Sequence, residues 1–332
     1  MDLPKLTDLD VSGKRVLLRL DLDTDPDPND LRIKASEKTL NHLKEKNSQI
    51  IILAHKGRPA HEATAGAAAP SDRESLSLKP FQPIFDKWGA KVEENLRFDS
   101  GEESNDPEFA KKLAALGDIY VNEAFASSHR EHASIVSLPK LLPHAVGFRF
   151  QKEVENLTKV FDNPKRPLVF VISGVKEDKL QYVKTFESLA DKILIGGRLP
   201  DFLGDAALES VKLRAESEKV LVGNLNQDKE DITLNTIEVF EKEILKAGTV
   251  VVSGPLGKYE EEGHRMGTEK VFKAVIASSA FKVAGGGDTE KAISIFGLSN
   301  KFDWISVGGG AMLEFISKRT LPGIEALTLD QR

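Results

Sequence analysis

Short runs of consecutive apolar residues, separated by stretches of helical periodicity, constrain this chain more than any other feature. Val16-Leu17-Leu18, Ile50-Ile51-Ile52-Leu53-Ala54, Leu168-Val169-Phe170-Val171-Ile172 and Val250-Val251-Val252 lack the apolar and polar alternation of a strand with one wet face. Strands of that kind are buried on both sides, and helices between them indicate a parallel sheet covered on both faces. The pattern predicts strands over 14–21, 48–54 and 117–121, with helices over 35–46, near 79–88 and over 107–115, the last opening at Asp106-Pro107. A short strand ends at Glu93, and the segment from Ala60 to Ser77, rich in Ala, Ser, Gly and His, reads as a mobile loop. A long amphipathic helix from Gln151 to Asp162 is stopped by Asn163-Pro164-Lys165-Arg166-Pro167, which makes residues 151–164 the best domain boundary.

A second set then follows, with strands over 168–173, 192–195 and 249–252 and helices over 177–189, 235–247 and 266–278. The region from 200 to 230 between them reads as irregular. With 332 residues, the chain suits two domains. The expectation is α/β, with two doubly wound, Rossmann-like parallel-sheet domains joined by a hinge helix and a cleft between them. Such a cleft suits a reaction between two large anions.

Near the end of the second set, Phe281-Lys282-Val283-Ala284-Gly285-Gly286-Gly287-Asp288-Thr289 reads as a strand, three glycines and the start of a helix. Glycines let the main chain approach a ligand, and the orphan N–H groups of a helix start favour an anion such as phosphate. Trp304 to Phe315 repeats the pattern around Gly308-Gly309-Gly310, and two such turns side by side would make one anion pocket. Neither is a P-loop, because no Gly-Lys-Ser/Thr follows, and Glu290 stands where a dinucleotide fingerprint needs its last glycine. Taken alone, the stretch is equally a pair of strand-to-helix turns.

The net charge of −6 argues against a nucleic-acid partner, while a local basic cluster for a small anion remains compatible with it. The absence of cysteine excludes disulfides, thiol catalysis and iron–sulfur ligation. The start at Met1-Asp2-Leu3-Pro4 lacks a signal-peptide pattern and no apolar run reaches the roughly 18 residues of a membrane span, so the reading is a soluble, cytoplasmic protein. Ligands of a doubly wound sheet bind beyond the carboxyl ends of its strands, where Asp21, His55, Arg58, Arg97 and residues 122–132 fall. They read as an anionic-substrate site, or as scattered surface charges.

Taken in order, these positions resemble the phosphoglycerate kinase family nearly end to end. The resemblance rests on Arg19-Leu20-Asp21-Leu22-Asp23, Leu31-Arg32-Ile33-Lys34, His55-Lys56-Gly57-Arg58-Pro59, Glu94 to Phe98 and Val121 to Phe125 with His129-Arg130-Glu131-His132. In the second half it rests on Ser173-Gly174-Val175-Lys176, Ser253 to Gly257, Gly285 to Thr289, Val307 to Ala311 and Leu321 to Leu327. That family transfers a phosphoryl group between ATP and the carboxylate of 3-phosphoglycerate, with Mg2+ on the nucleotide. The resemblance implies a phosphoglycerate-binding domain over 1–150 and 317–332, a hinge helix over 151–164 and a nucleotide-binding domain over 165–316. It implies a basic patch of Arg32, Arg58, Arg97 and Arg130 with His55, while Asp21 and Asp23 take the substrate hydroxyl. It implies that Gly285, Gly286, Gly287, Asp288 and Thr289 hold nucleotide phosphates and Mg2+, with Asp288 facing the metal, Glu260 the ribose and Gly196 and Gly197 the adenine. Lys179 and Gly257 join that nucleotide set. Arg32 and Lys176, with amides of Gly287 and Gly310, would stabilise the moving phosphoryl group in an enzyme expected to be monomeric.

The chain also departs from the family pattern. It is shorter, mainly between Pro200 and Asp231; Asp23 replaces the family's asparagine beside the substrate, and Glu123 an aspartate. Arg198 stands for the third glycine of the adenine motif, Val252-Ser253 for Trp-Asn, and Lys179 lies one residue nearer Lys176, a spacing that keeps both on one helical face. An acyl-phosphate kinase of altered substrate and a non-catalytic relative are the alternatives.

Overall fold

The structure, a computed structural model, describes residues 2–60, 70–203 and 219–328. The chain divides into two compact units, Met1–Glu155 with Thr320–Arg332, and Asn156–Arg319. In the first, β1 (Arg15–Arg19), β2 (Gln49–Leu53), β3 (Lys91–Val92), β4 (Ile119–Asn122) and β5 (His144–Val146) form a parallel sheet in the order β3-β2-β1-β4-β5. Leu18 stands beside Ile52 on one side and Val121 on the other, all three fully buried, as continuous apolar runs require. Helix α1 (Leu31–Glu45) starts four residues before the periodicity suggested, because the Asp30 carboxylate accepts the Arg32 N–H at 2.8 Å. Helix α2 (Pro107–Ala114) opens as expected, Asp106 accepting from the N–H groups of Glu108 and Phe109. The predicted loop from Ala60 to Ser77 is corrected in part: Pro70–Ser75 is helical, and residues 61–69 lie outside the described residues.

Helix α3 (Phe148–Phe161) also starts ahead of its predicted first residue, and the division between the units falls inside it, after Glu155. Its early start has a cause in Glu123. This buried carboxylate, reached from the end of β4, accepts the N–H groups of Arg149 (3.1 Å) and Phe150 (3.0 Å) and the Thr39 hydroxyl. Gly147 makes room, since a Cβ there would lie 2.2 Å from Glu123 Oε2.

The second unit repeats the plan with β6 (Leu168–Ile172), β7 (Lys192–Ile195), β8 (Val220–Val222), β9 (Thr249–Ser253), β10 (Phe281–Gly285) and β11 (Trp304–Ser306), in the order β11-β10-β9-β6-β7-β8. Counted from its own first strand, this is the 3-2-1-4-5-6 doubly wound order, and the first sheet follows it through its fifth strand. Helices α4 (Leu234–Ile244), α5 (Met266–Ala277), α6 (Gly287–Ile295) and α7 (Gly309–Lys318) belong to this unit, and α8 (Pro322–Thr328) to the first, where Gly323 N–H donates to Ser128 O at 2.9 Å. The strands β5 and β8, three residues each, were not anticipated: neither is long enough to show a period. No helix among the described residues is long and apolar enough to cross a membrane.

Burial pushes the Glu123 carboxyl up to about 7 against the opposing hydrogen bonds from Thr39, Phe150 and Arg149. A carboxyl raised in the folded state contributes stability that is complete below its unfolded range, near pH 4.5, and lost as pH rises through about 7. Glu123→Gln removes that titration. Urea unfolding from pH 4.5 to 7.5 is expected to show wild type losing stability relative to the variant as pH rises; a constant difference would contradict the assignment.

Candidate active site

The carboxyl edge of the first sheet gathers arginines. Arg19, at the end of β1 and wholly buried, donates from Nε to Ser134 Oγ (2.9 Å), from Nη1 to Leu20 O and from Nη2 to His55 Nδ1 (2.7 Å). Its counter-charge is Glu102 Oε1 at 3.9 Å, a carboxylate that also accepts Ser134 Oγ (2.6 Å) and Ser134 N–H (3.0 Å). Arg97 is 1% exposed, its Nη1 donates to Gly57 O, and its Nε lies 3.1 Å from Glu103 Oε1, yet Nη2 has no hydrogen-bond partner among the described residues. Burial lowers the Arg97 guanidinium, and Arg130 and Arg19 push the same way while Glu103 and Asp23 oppose. Burial also lowers Arg130, and the charge of Arg58 adds to it. Arg19, Arg97, Arg130 and Arg58 thus share one electrostatic neighbourhood at the strand ends.

His55 belongs there too, with a correction. Burial first, then Arg19 and Arg97, hold its imidazole well below the usual histidine range, so it is uncharged and the positive patch is made by arginines alone. His132, ring centroid 6.2 Å from His55, is likewise lowered to about 3 by burial and the same arginines. Asp21 spends its oxygens inside the fold, accepting Ala126 N–H at 2.8 Å and the Ser127 hydroxyl. The Asp23 carboxylate accepts Gly57 N–H at 2.8 Å, its own carbonyl accepts from Arg32 Nη1, and its charge reaches Arg97 and Arg130.

In the second unit the site is made mostly of main chain. Gly174, Gly196, Gly254, Gly285 and Gly308 lie at or just beyond the ends of β6, β7, β9, β10 and β11. The glycine requirement is steric: Gly254 has φ +103°, and a Cβ there would lie 1.9 Å from Ser173 O. The two glycine turns are neighbours, since β10 pairs with β11 and a Cβ on Gly309 would lie 2.6 Å from Gly286 Cα. Gly287 and Gly310 each stand in the first turn of a helix, and a Cβ added to either would meet nothing within 4 Å. Asp288 is exposed in the first turn of α6. Thr289 is buried, its hydroxyl donating to Gly285 O (2.9 Å) and accepting Gly254 N–H (2.8 Å).

The lysine pair is corrected as well. Lys176 precedes the tight 3-10 turn Glu177–Tyr182 in extended conformation and is exposed, whereas Lys179 turns inward and donates to Ser173 O (2.6 Å) and Ser253 O (3.2 Å). They do not share a helical face. Burial lowers the Lys179 ammonium to about 8, opposed by Asp178 and Asp288. A cavity of about 470 Å³ is lined by Gly197, Gly257, Glu260 and Asp288 among the expected residues, and by Arg198, Lys229 and Tyr259, which sequence reasoning left unassigned. Gly196 packs instead against Leu256. Arg198 Nε and Lys229 Nζ both bind Asp201, at 3.1 and 2.8 Å. Lys229 fell in the region read as irregular, and Arg19 carried only a motif position: neither gave a spacing signal.

Two doubly wound units with anion-seeking groups at the carboxyl ends of their strands define an α/β protein that handles phosphorylated substrates. The sequence profile described as phosphoglycerate kinase matches residues 6–220 and 204–319. The phosphoglycerate kinase of Dictyoglomus turgidum is 34% identical and the alignment covers 97% of each chain; that of Solibacter usitatus is 35% identical over 97% of this chain and 98% of its own. The solved phosphoglycerate kinase of Coxiella burnetii superposes with a TM-score of 0.82 at 28% identity, over 100% of both chains, and that of Pyrococcus horikoshii with 0.79 at 27%, over 98% and 99%. The chain belongs to the phosphoglycerate kinase family and is a kinase. The first alignment spans 386 positions, more than this chain has residues, so that relative carries segments missing here.

The two glycine turns give a contrast in stability. Gly309→Ala forces backbone apart and is expected to cost about 1–3 kcal/mol, whereas Gly310→Ala, in open space, stays within about 1 kcal/mol of wild type. Chemical denaturation checks both, and equal losses would contradict the close approach.

Proposed function

We propose that this chain is an active phosphoglycerate kinase, catalysing reversible phosphoryl transfer between ATP and the carboxylate of 3-phosphoglycerate. The observation that carries the reading is the buried Arg97 guanidinium, whose Nη2 lacks a partner among the described residues, beside the charges of Arg130 and Arg58. A buried donor without an acceptor in a field of arginines is supplied by an anionic ligand. In this reading Arg32, Arg58, Arg97 and Arg130 take phosphoglycerate in the first unit, with His55 as an uncharged neighbour. Asp21 shapes that site through the Ala126–Ser127 turn, and Asp23 moderates its charge.

In the second unit, the amides of Gly285, Gly286, Gly287 and Thr289 bind the nucleotide phosphates, while Gly196, Gly197, Gly257 and Glu260 serve the nucleoside. The N-terminal unit with the terminal helix is the phosphoglycerate domain, the second unit the nucleotide domain and α3 the hinge. Mg2+ fits what is present: among the described residues no cluster of three acidic or histidine side chains forms, and an exposed carboxylate such as Asp288, together with substrate phosphates, is the kind of site magnesium uses. Bound there, the ion would neutralise phosphate charge.

A carboxylate attacks phosphorus without a general base, so catalysis reduces to alignment and charge stabilisation. Lys176, exposed where its ammonium can reach a ligand, and Arg32 supply that charge with the amides of Gly287 and Gly310. Lys179 supports the strand ends and adds positive charge behind them. We place the enzyme in the cytoplasm as a monomer, without nucleic-acid or membrane partners.

A coupled assay with 3-phosphoglycerate and magnesium ATP tests the reading: turnover is expected, and none at saturating substrates would overturn it. Turnover on another carboxylate alone would favour an altered substrate. Asp23→Asn keeps an acceptor for Gly57 N–H but removes a charge that competes for Arg97 and Arg130. At the usual cost of one like charge a few ångströms from an anion near the surface, KM for 3-phosphoglycerate should fall roughly three- to tenfold. An unchanged KM would show that this carboxylate does not oppose the substrate.

A further inference from the structure

We infer that Arg19 is a positioning residue: by donating from Nη2 to Nδ1 it fixes His55 in the tautomer with its proton on Nε2, an uncharged donor for an acidic substrate. The inference rests on the reading of this edge as the phosphoglycerate site. A guanidinium carries five N–H donors and no acceptor. At 2.7 Å from Arg19 Nη2, the His55 Nδ1 must therefore present its lone pair, because an N–H there would set two donors against each other. The ring keeps one proton, on Nε2.

Nothing among the described residues accepts that proton. The residue is 4% exposed, and among the described residues the one hydrogen bond of the ring is that of Nδ1 to Arg19. A donor that the fold leaves unpaired is available to an acceptor from outside it. The groups that face the ring are Arg19 from β1, Arg97 from the turn after β3, and Arg130 and His132 from the segment after β4. All are cationic or neutral, so an oxyanion is the complementary ligand.

Arg19 itself cannot turn away. Ser134 Oγ, Leu20 O and Glu102 hold it on its other sides, and Tyr120 Oη, donating to Ser134 O at 2.7 Å, anchors the turn that carries Ser134. The ion pair of Arg19 with Glu102 thus acts on substrate only through His55. Protonating His55 would break its bond to Arg19 and add a fifth cation to the cluster.

Long-range proton–nitrogen NMR of the 15N-labelled full chain, without substrate, reads the tautomer directly, with His55→Gln assigning the signal. The expected result is an unprotonated Nδ1 and a protonated Nε2 that do not change from pH 5 to 8. A proton on Nδ1, or titration near pH 6.5, would overturn the inference. The paired variant Arg19→Met with Glu102→Gln removes both buried charges together, avoiding a lone one. It should mix the tautomers, raise KM for 3-phosphoglycerate roughly tenfold as expected for one hydrogen bond to a charged group, and make KM depend on pH between 5 and 8. Unchanged tautomer and pH profile in a folded variant would show that Arg19 is structural only. If the coupled assay fails while the tautomer holds, the function falls and the assignment stands. If the wild-type enzyme turns over while Nδ1 carries the proton, the assignment falls and the function stands.

Discussion

In both sheets the strand order reverses once, between β1 and β4 and between β6 and β9, and the chains leaving those strands part in opposite directions. Main-chain groups at such a point lose their sheet partners and must be satisfied by side chains. The two units solve this with opposite charges. In the first, Asp21 accepts Ala126 N–H and the Ser127 hydroxyl, so the carboxylate serves donors. In the second, the Lys179 ammonium donates to Ser173 O and Ser253 O, the last carbonyls beside β6 and β9. What stands around each plug follows from its sign: arginines collect near the buried carboxylates, and glycine amides near the buried ammonium.

The arginine cluster is not a device for stability. Removing Arg19 and Glu102 from water costs several kcal/mol per ion, and a pair at 3.9 Å returns little of that without the hydrogen bonds of Ser134. Arg97 and Arg130 are each lowered by burial and by other arginines, which is to say that the fold holds like charges closer than they would choose. Glu103 and Asp23 offset part of the repulsion. An anion with several oxygens would offset the rest.

The parallel sheets were legible because burial on both faces writes itself as uninterrupted apolar residues, and Leu168–Ile172 or Lys192–Ile195 could be bounded to within a residue. Helix starts were less so. The predicted onsets of α1 and α3 came late because the capping groups, Asp30 and Glu123, lie outside the apolar period, one just before its helix and the other just after the neighbouring strand β4. At the site, the glycine turns announced themselves by sequence alone, since crowding of main chain admits no other residue at Gly254 or Gly309. The state of a side chain does not follow from its type: His55 was read with a basic patch of arginines and is neutral because of burial first and those arginines second. Lys179 looked like a partner of Lys176, but the 3-10 turn sends it inward.

These differences divide the pH behaviour of the two units. Guanidinium groups stay charged across the physiological range even when burial lowers them, and His55 and His132, both neutral, do not change charge between pH 5 and 8. Glu123, a carboxyl that does titrate there, caps the start of α3. The second unit differs, because Lys179, held to about 8, loses its charge just above neutrality, at the point where β6 and β9 diverge and beside the charge of Asp288. The arginines therefore keep their charge while the glycine edge weakens toward alkaline pH. An anion bound by the second unit should then feel the loss of a single cation near pH 8, a loss that the arginines of the first unit do not share.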